Sequence, residues 1–171
     1  SDFARMPKPI FKKNDLIKIL NENIKLLSEL DKSIQIELQK NQKDSFLSCD
    51  KEQIARVFFN LIKNSIESIQ QKAEKNPNFN KKIVIEIYHN NDHIKISLID
   101  NGIGFNNLDK NINEILSPYF TTKKNGTGLG LSIVNKIIND HNGELEFFSV
   151  DDGAKIEINF RKNGDRNINS R

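Results

Sequence analysis

Apolar and polar residues alternate over positions 33–39 (SIQIELQ), with Ile34, Ile36 and Leu38 on one face. A period of two predicts a half-buried strand. The same alternation returns at Ile83, Ile85 and Ile87 and again at Ile94, Ile96 and Leu98, and residues 90–92 between them read as a hairpin turn. A short strand is expected around Phe46–Cys49. Near the end of the chain, Asn142-Gly143 turns into a strand at 144–149. Asp152-Gly153 makes a hairpin, and a last strand follows at 154–161 with Ala154, Ile156, Ile158 and Phe160 inward.

Three segments carry the helical period instead. Asn14 or Asp15 can cap the first, in which Leu16, Ile19, Leu20, Asn23, Leu27 and Leu30 recur at near-helical spacing. Asp50 with Gln53 resembles a capping box opening the second, whose core stripe is Ile54, Val57, Phe58, Leu61, Ile62, Ser65 and Ile69. It should stop before the polar, turn-rich KNPNFNKK. The third begins near Gly128 and runs to about Asp140. Helices separated from antiparallel pairs predict an α+β two-layer sandwich, with the helices on one face of a mixed sheet. Residues 1–13, with two prolines and two basic stretches, read as a connector, 14–162 as the domain and 163–171 as a polar tail.

Composition narrows the classes. The 171 residues suit one domain, and 26 basic against 23 acidic residues leave a net charge of +3, which does not indicate a nucleic-acid partner. The single Cys, Cys49, excludes an internal disulfide and a cysteine-based zinc site. No apolar run is long enough to span a membrane, and a cytoplasmic setting fits. Asn (24 residues) and Lys (21 against 5 Arg) are abundant, as in an AT-rich coding bias. The chain opens at Ser1, which suggests a piece of something longer.

Candidate chemistry gathers around the stretch at about 101–127, long for a connection in a compact domain. Glycines bracket it: Gly102 and Gly104 at its start, Gly126, Gly128 and Gly130 at its end. The second group leads into a helix, whose first N–H groups attract phosphate, although a tight strand–helix turn has the same look. Asp100 ends an apolar strand, where a carboxylate is costly unless paired. It could accept a hydrogen bond from an exocyclic amine such as that of adenine, or simply form a turn with Asn101-Gly102. Asn60 and Asn64 share a helix face at i and i+4. Their amide oxygens suit Mg²⁺, and surface asparagines from biased composition are the plainer reading.

Together these stretches resemble a family. Asn60-Leu-Ile-Lys-Asn64 resembles the N box of the GHKL ATP-binding superfamily, and Asp100-Asn-Gly-Ile-Gly104 its G1 box. Ser117-Pro-Tyr-Phe-Thr-Thr-Lys123 resembles its F box, and Gly126-Thr-Gly-Leu-Gly-Leu-Ser132 its G2 box. Within the superfamily the chain looks like the catalytic ATP-binding domain of a sensor histidine kinase. Phe3-Ala-Arg-Met-Pro-Lys-Pro9 is similar to the segment that joins the dimerisation helices to this domain in nitrogen-regulation (NtrY-like) kinases.

The resemblance implies a Bergerat fold, a mixed and mostly antiparallel sheet covered by three helices, with a mobile lid over ATP. By position, Asp100 would bind the adenine amine, with Gly102 and Gly104 in the base pocket. Asn64 would ligate Mg²⁺, assisted by Asn60 at the phosphates. Gly126, Thr127, Gly128, Leu129 and Gly130 would wrap the phosphates, Lys123 would neutralise the γ-phosphate, and Phe120 would anchor the lid. Asn60 and Lys123 are the catalytic candidates. Some relatives carry a basic residue where this chain has Glu67, so no phosphate contact is expected there.

ATP-hydrolysing relatives place a water-activating Glu where Asn60 stands, and a neutral amide is a poor general base. Phosphoryl transfer to a histidine on the protein's own dimerisation domain is therefore expected, followed by relay to a response-regulator receiver. His89 and His93 are expected to face solvent and His141 to be structural, so this chain should not phosphorylate itself. The parent protein would be a homodimer and a candidate for membrane anchoring. A clamp-type ATPase, a non-catalytic nucleotide sensor and a switch anti-sigma kinase are the rival readings.

Overall fold

The computed structural model describes residues 6–105 and 130–162. Two strands pair near the start: β1 (Lys12–Asp15) lies antiparallel to β3 (Phe46–Cys49). Between them run helix α1 (Leu16–Leu27) and strand β2 (Gln35–Lys40). Helix α2 (Lys51–Lys75) follows, then β4 (Lys82–His89), β5 (His93–Asp100), helix α3 (Gly130–Asp140), β6 (Gly143–Val150) and β7 (Gly153–Arg161). The main sheet has the order β2-β4-β5-β7-β6; β2 and β4 run parallel and every other pair antiparallel. The expected lid and the tail 163–171 lie outside the described residues.

The register places apolar residues in rows across the strands. Ile85, Leu98 and Ile156 stand side by side, as do Ile87, Ile96 and Ile158. The alternate row Glu86, Ser97, Glu157 and Glu146 marks the other face. A half-apolar sheet needs one cover, and the three helices among the described residues provide it. Helix α2 packs between α1 and α3 and against β5, and α3 rests on β6. Ile54, Val57, Phe58, Leu61, Ile62, Ile66 and Ile69 of α2 are all buried. That gives the two-layer α+β sandwich expected.

Several details differ from the reading of the sequence. Lys12 and Lys13, assigned to the connector, belong to β1. Helix α1 stops at Leu27, where Ser28 N–H donates to Ile24 O, so Leu30 lies beyond the helix and is 57% exposed. Asp15 is the cap: its Oδ1 accepts from Ile17 N–H at 3.1 Å and from Ser45 N–H at 2.9 Å. His89 is buried rather than solvent-facing. The parallel β2–β4 pairing brings Asn41 beside it. Asn41 Oδ1 accepts from His89 N–H at 2.9 Å and Asn41 Nδ2 donates to His89 O at 3.0 Å. Burial lowers the imidazole pKa, and nearby Lys162 adds to that.

The start of α2 forms only half of a capping box. Asp50 Oδ1 accepts from Gln53 N–H at 3.0 Å, as a cap should. Gln53 does not return the bond; its Nε2 donates to Pro7 O at 2.9 Å. The Asp50 N–H instead donates to His141 Nε2 at 3.0 Å, and His141 Nδ1 lies 2.7 Å from Ile137 O. A backbone N–H can only donate and a carbonyl only accept, so His141 is a neutral imidazole with its proton on Nδ1. It is fully buried, its ring edge-on to Phe11 at 5.1 Å between centroids. This agrees with the structural role expected for it.

His141→Ala should therefore leave the Asp50 N–H without its acceptor and open a cavity between α2 and α3. The expected loss of unfolding free energy is about 3 kcal/mol, measured by urea denaturation. A loss below about 1 kcal/mol, the net worth of an ordinary hydrogen bond, would mean the contact does not hold the helices together.

Candidate functional site

The alternation that buries Ile94, Ile96 and Leu98 continues to Asp100, the last residue of β5. Asp100 stands between Ile83 and Ala154 in the register, on the helix-covered face of the sheet. It is 7% exposed. Its Oδ1 accepts from Gly102 N–H at 2.9 Å. Burial raises the carboxyl pKa, opposed by the Gly102 N–H, the Ser65 hydroxyl and the charge of Lys72. A carboxylate in such a place is an acceptor with little water to satisfy it.

The turn after Asp100 has no room for side chains. A Cβ on Gly102 would collide with Ser68 Oγ of α2 and stand 2.7 Å from the Ser68 carbonyl carbon. Gly104 has φ +70°, and a Cβ there would come 2.5 Å from Gly153 O. Gly153 itself lies so close to Asp100 O that no Cβ could fit. The two glycines expected in a base pocket thus have packing reasons of their own: they let the turn lie between α2 and the start of β7. Asn101 fastens the turn to β4, its Oδ1 accepting from Lys82 N–H at 3.0 Å and its Nδ2 donating to Asn80 O at 2.5 Å.

Asn60 and Asn64 are half-buried on α2, the helix that meets Asp100 through Ser65. Gly130 opens α3, and a Cβ there would meet nothing among the described residues within 4 Å. A helix N-terminus with that freedom suits an anion. Lys123, Gly126, Thr127, Gly128 and Leu129 lie outside the described residues. Neutral amide oxygens at Asn60 and Asn64 fit a hard cation that shares phosphate oxygens, and the buried Asp100 fits a base amine.

Sequence reasoning missed Ser68 and Lys72, and took Ser65 only as part of the core stripe, Asn101 only as part of a turn and a motif, and Gly153 only as a hairpin residue. One signal was present. Asn60, Asn64, Ser68 and Lys72 recur every fourth residue along α2, a polar stripe beside the apolar one. Nothing local in the sequence marks where that stripe meets the turn after β5.

Residues 49–164 match the family described as histidine kinase-, DNA gyrase B- and HSP90-like ATPase. An NtrY-like sensor histidine kinase of Rickettsia felis is 33% identical over 159 residues, 92% of this chain and 25% of the relative. The chain thus spans about a quarter of that relative's length. The solved catalytic domain of histidine kinase ThkA superposes with a TM-score of 0.76 at 28% identity, covering 90% of this chain and 96% of the other. A ThkA structure in complex with the response regulator protein TrrA has the same fold, with a TM-score of 0.71 at 24% identity over 91% of this chain and 42% of that one. The two-layer fold agrees with these structural matches. The chain belongs to the histidine kinase-, DNA gyrase B- and HSP90-like ATPase family, as an ATP-binding catalytic domain of the sensor histidine kinase type.

Proposed function

We propose that this domain binds Mg·ATP and donates the γ-phosphate to a histidine on the dimerisation domain of its parent protein. The observation that carries the reading is Asp100, a carboxylate buried at a strand end beside the helix that bears Asn60 and Asn64. Asp100 accepts from the adenine amine, with Gly102 and Gly104 shaping the pocket. Asn64 ligates Mg²⁺ and Asn60 assists at the phosphates. When bound, the cation offsets the charge that builds on the transferred group. By position, Gly126, Thr127, Gly128, Leu129 and Gly130 follow the phosphates and Lys123 meets the γ-phosphate. Asn60 cannot take a proton from water, which favours transfer over hydrolysis.

The residues before β1 then serve as the connector to the dimerisation domain, β1 through residue 162 as the catalytic domain and 163–171 as a polar tail. The phosphate passes on to the Asp of a response-regulator receiver, in keeping with the ThkA–TrrA complex. The domain works on the cytoplasmic side as part of a homodimeric, membrane-anchored parent. Among the described residues no helix is long and apolar enough to cross a membrane.

Two measurements test this. Supplied with a separately produced histidine-bearing dimerisation domain, ATP and Mg²⁺, the chain should phosphorylate that histidine, and Asn64→Ala should abolish the labelling. ATP binding without any transfer would favour the nucleotide-sensor reading.

Asp100→Asn should weaken ATP binding by about tenfold or more, the worth of a hydrogen bond to a charged group, and should raise stability. Burial raises the Asp100 pKa, so the folded chain holds this proton more tightly than the unfolded one. The contribution is most favourable below the ordinary value of 3.8 and declines as pH rises through the raised folded value. Binding runs the other way and should fall on acidification above the ordinary aspartate range. Calorimetric titration across pH, with thermal unfolding of both chains, checks both signs; unchanged affinity in Asp100→Asn would sink the assignment.

A further inference from the structure

Two side chains of α2 outside the residues assigned above hold the turn that follows β5. Lys72 Nζ donates to Asn101 O at 2.9 Å. One helical turn earlier, Ser68 Oγ accepts from Ile103 N–H at 3.0 Å. Gly102, between those two anchors, is seated directly on the Ser68 and Ile69 backbone, with a Cβ position only 2.8 Å from Ile69 N. The Gly102 N–H then donates to Asp100 Oδ1 at 2.9 Å. The contacts form a series: α2 fixes the turn, the turn fixes one N–H, and that N–H fixes the plane of the carboxylate. Lys72 is itself steadied, its Nζ 4.5 Å from the centre of the Phe79 ring.

A buried carboxylate can discriminate between bases only if its orientation is set before the ligand arrives, since any reorientation on binding subtracts from affinity. Oδ1 accepts from Gly102 N–H and the Ser65 hydroxyl also bonds the carboxylate, but a carboxylate offers about four lone-pair sites, so acceptor capacity is left for a ligand donor. We propose that Ser68 and Lys72 are positioning residues for base recognition. They hold Asp100 so that it accepts an exocyclic purine amine, and so set the preference for adenine over a purine lacking that amine. The inference rests on the assignment of Asp100 to the adenine amine and adds the residues that make it selective.

The test compares Mg²⁺-dependent binding of ATP and of purine riboside triphosphate, which lacks the 6-amine, by the whole chain. Wild type should prefer ATP by about tenfold or more. Ser68→Ala and Lys72→Met should each cut that preference by about fivefold, mainly by weakening ATP and with little effect on the analogue. Ser68→Thr and Lys72→Arg, which keep the hydroxyl and the cation, should restore it. An unchanged preference, or an equal loss for both ligands, overturns the positioning role and leaves Asp100 as assigned. A wild-type chain that binds the two triphosphates equally overturns the adenine assignment and this inference with it. The two positions lie on opposite sides of Gly102, so either variant carries the test if the other does not fold.

Discussion

Helix α2 must bury one face on the sheet while keeping a polar stripe at the edge of that contact. The buried face, from Ile54 to Ile69, fixes the helix against its neighbours. The stripe is then no longer free to move: Asn60, Asn64, Ser68 and Lys72 are carried on one rod, about 18 Å from first to last. Both ends of the rod are tied. Asp50 is held to α3 through His141, and Lys72 is held to the turn after β5 through Asn101. Cores pack at crystal-like density and do not deform smoothly. The separation between the asparagines and Asp100 is therefore a property of the whole helix layer.

Asp100 is where the fold and the proposed site make opposite demands. Its place in the register belongs to a core row, next to Ile83 and Ala154, and an apolar residue there would suit the fold better. The carboxylate is retained at a cost in desolvation that its pKa direction records. Gly102 N–H and the Ser65 hydroxyl offset part of that cost. Gly153 makes a further concession, since only a residue without a Cβ lets β7 begin against the Asp100 carbonyl. Local rules broken together at one place, and satisfied elsewhere, are the usual mark of a functional site.

The sheet and its helices were legible because their signals are local. Alternation marked β2, β4, β5 and β7, the Asn142-Gly143 turn marked β6, and the structure places the caps at Asp50, as expected, and at Asp15, one of the two candidates. The turns at Asn142-Gly143 and Asp152-Gly153 carry left-handed Asn142 (φ 55°) and Asp152 (φ 58°), as that chemistry requires. What was not legible depends on partners far away in the chain. Lys12 and Lys13 have no pattern of their own and become strand only because β3 lies beside them, some 35 residues on. His89 is buried because a parallel crossover brings Asn41 over its backbone. Asp100, Gly102 and Asn60 with Asn64 stood out as rule-breakers within their own segments. Ser68 and Lys72 broke no local rule on a polar helix edge, and only the folded turn reveals what they hold.

The three histidines bear on where a phosphoryl group could go. His141 has both ring nitrogens engaged in the core between α2 and α3, so phosphorylation there would require separating those helices. His89 is buried beneath the Asn41 clamp. His93 is exposed, but it opens the strand that Asp100 closes, about 23 Å away at ordinary strand rise. An in-line displacement needs its nucleophile within about 3–3.5 Å of the reacting atom; with the nucleotide at Asp100, as proposed, none of the three is placed to supply it. On that reading, a nucleotide seated at Asp100 would lie where Asn60 cannot activate water and, among the described residues, no histidine of the same fold is set to attack it. On the proposed reading that double exclusion is the working principle of the domain: the γ-phosphate is kept until a nucleophile from outside the fold is brought to it.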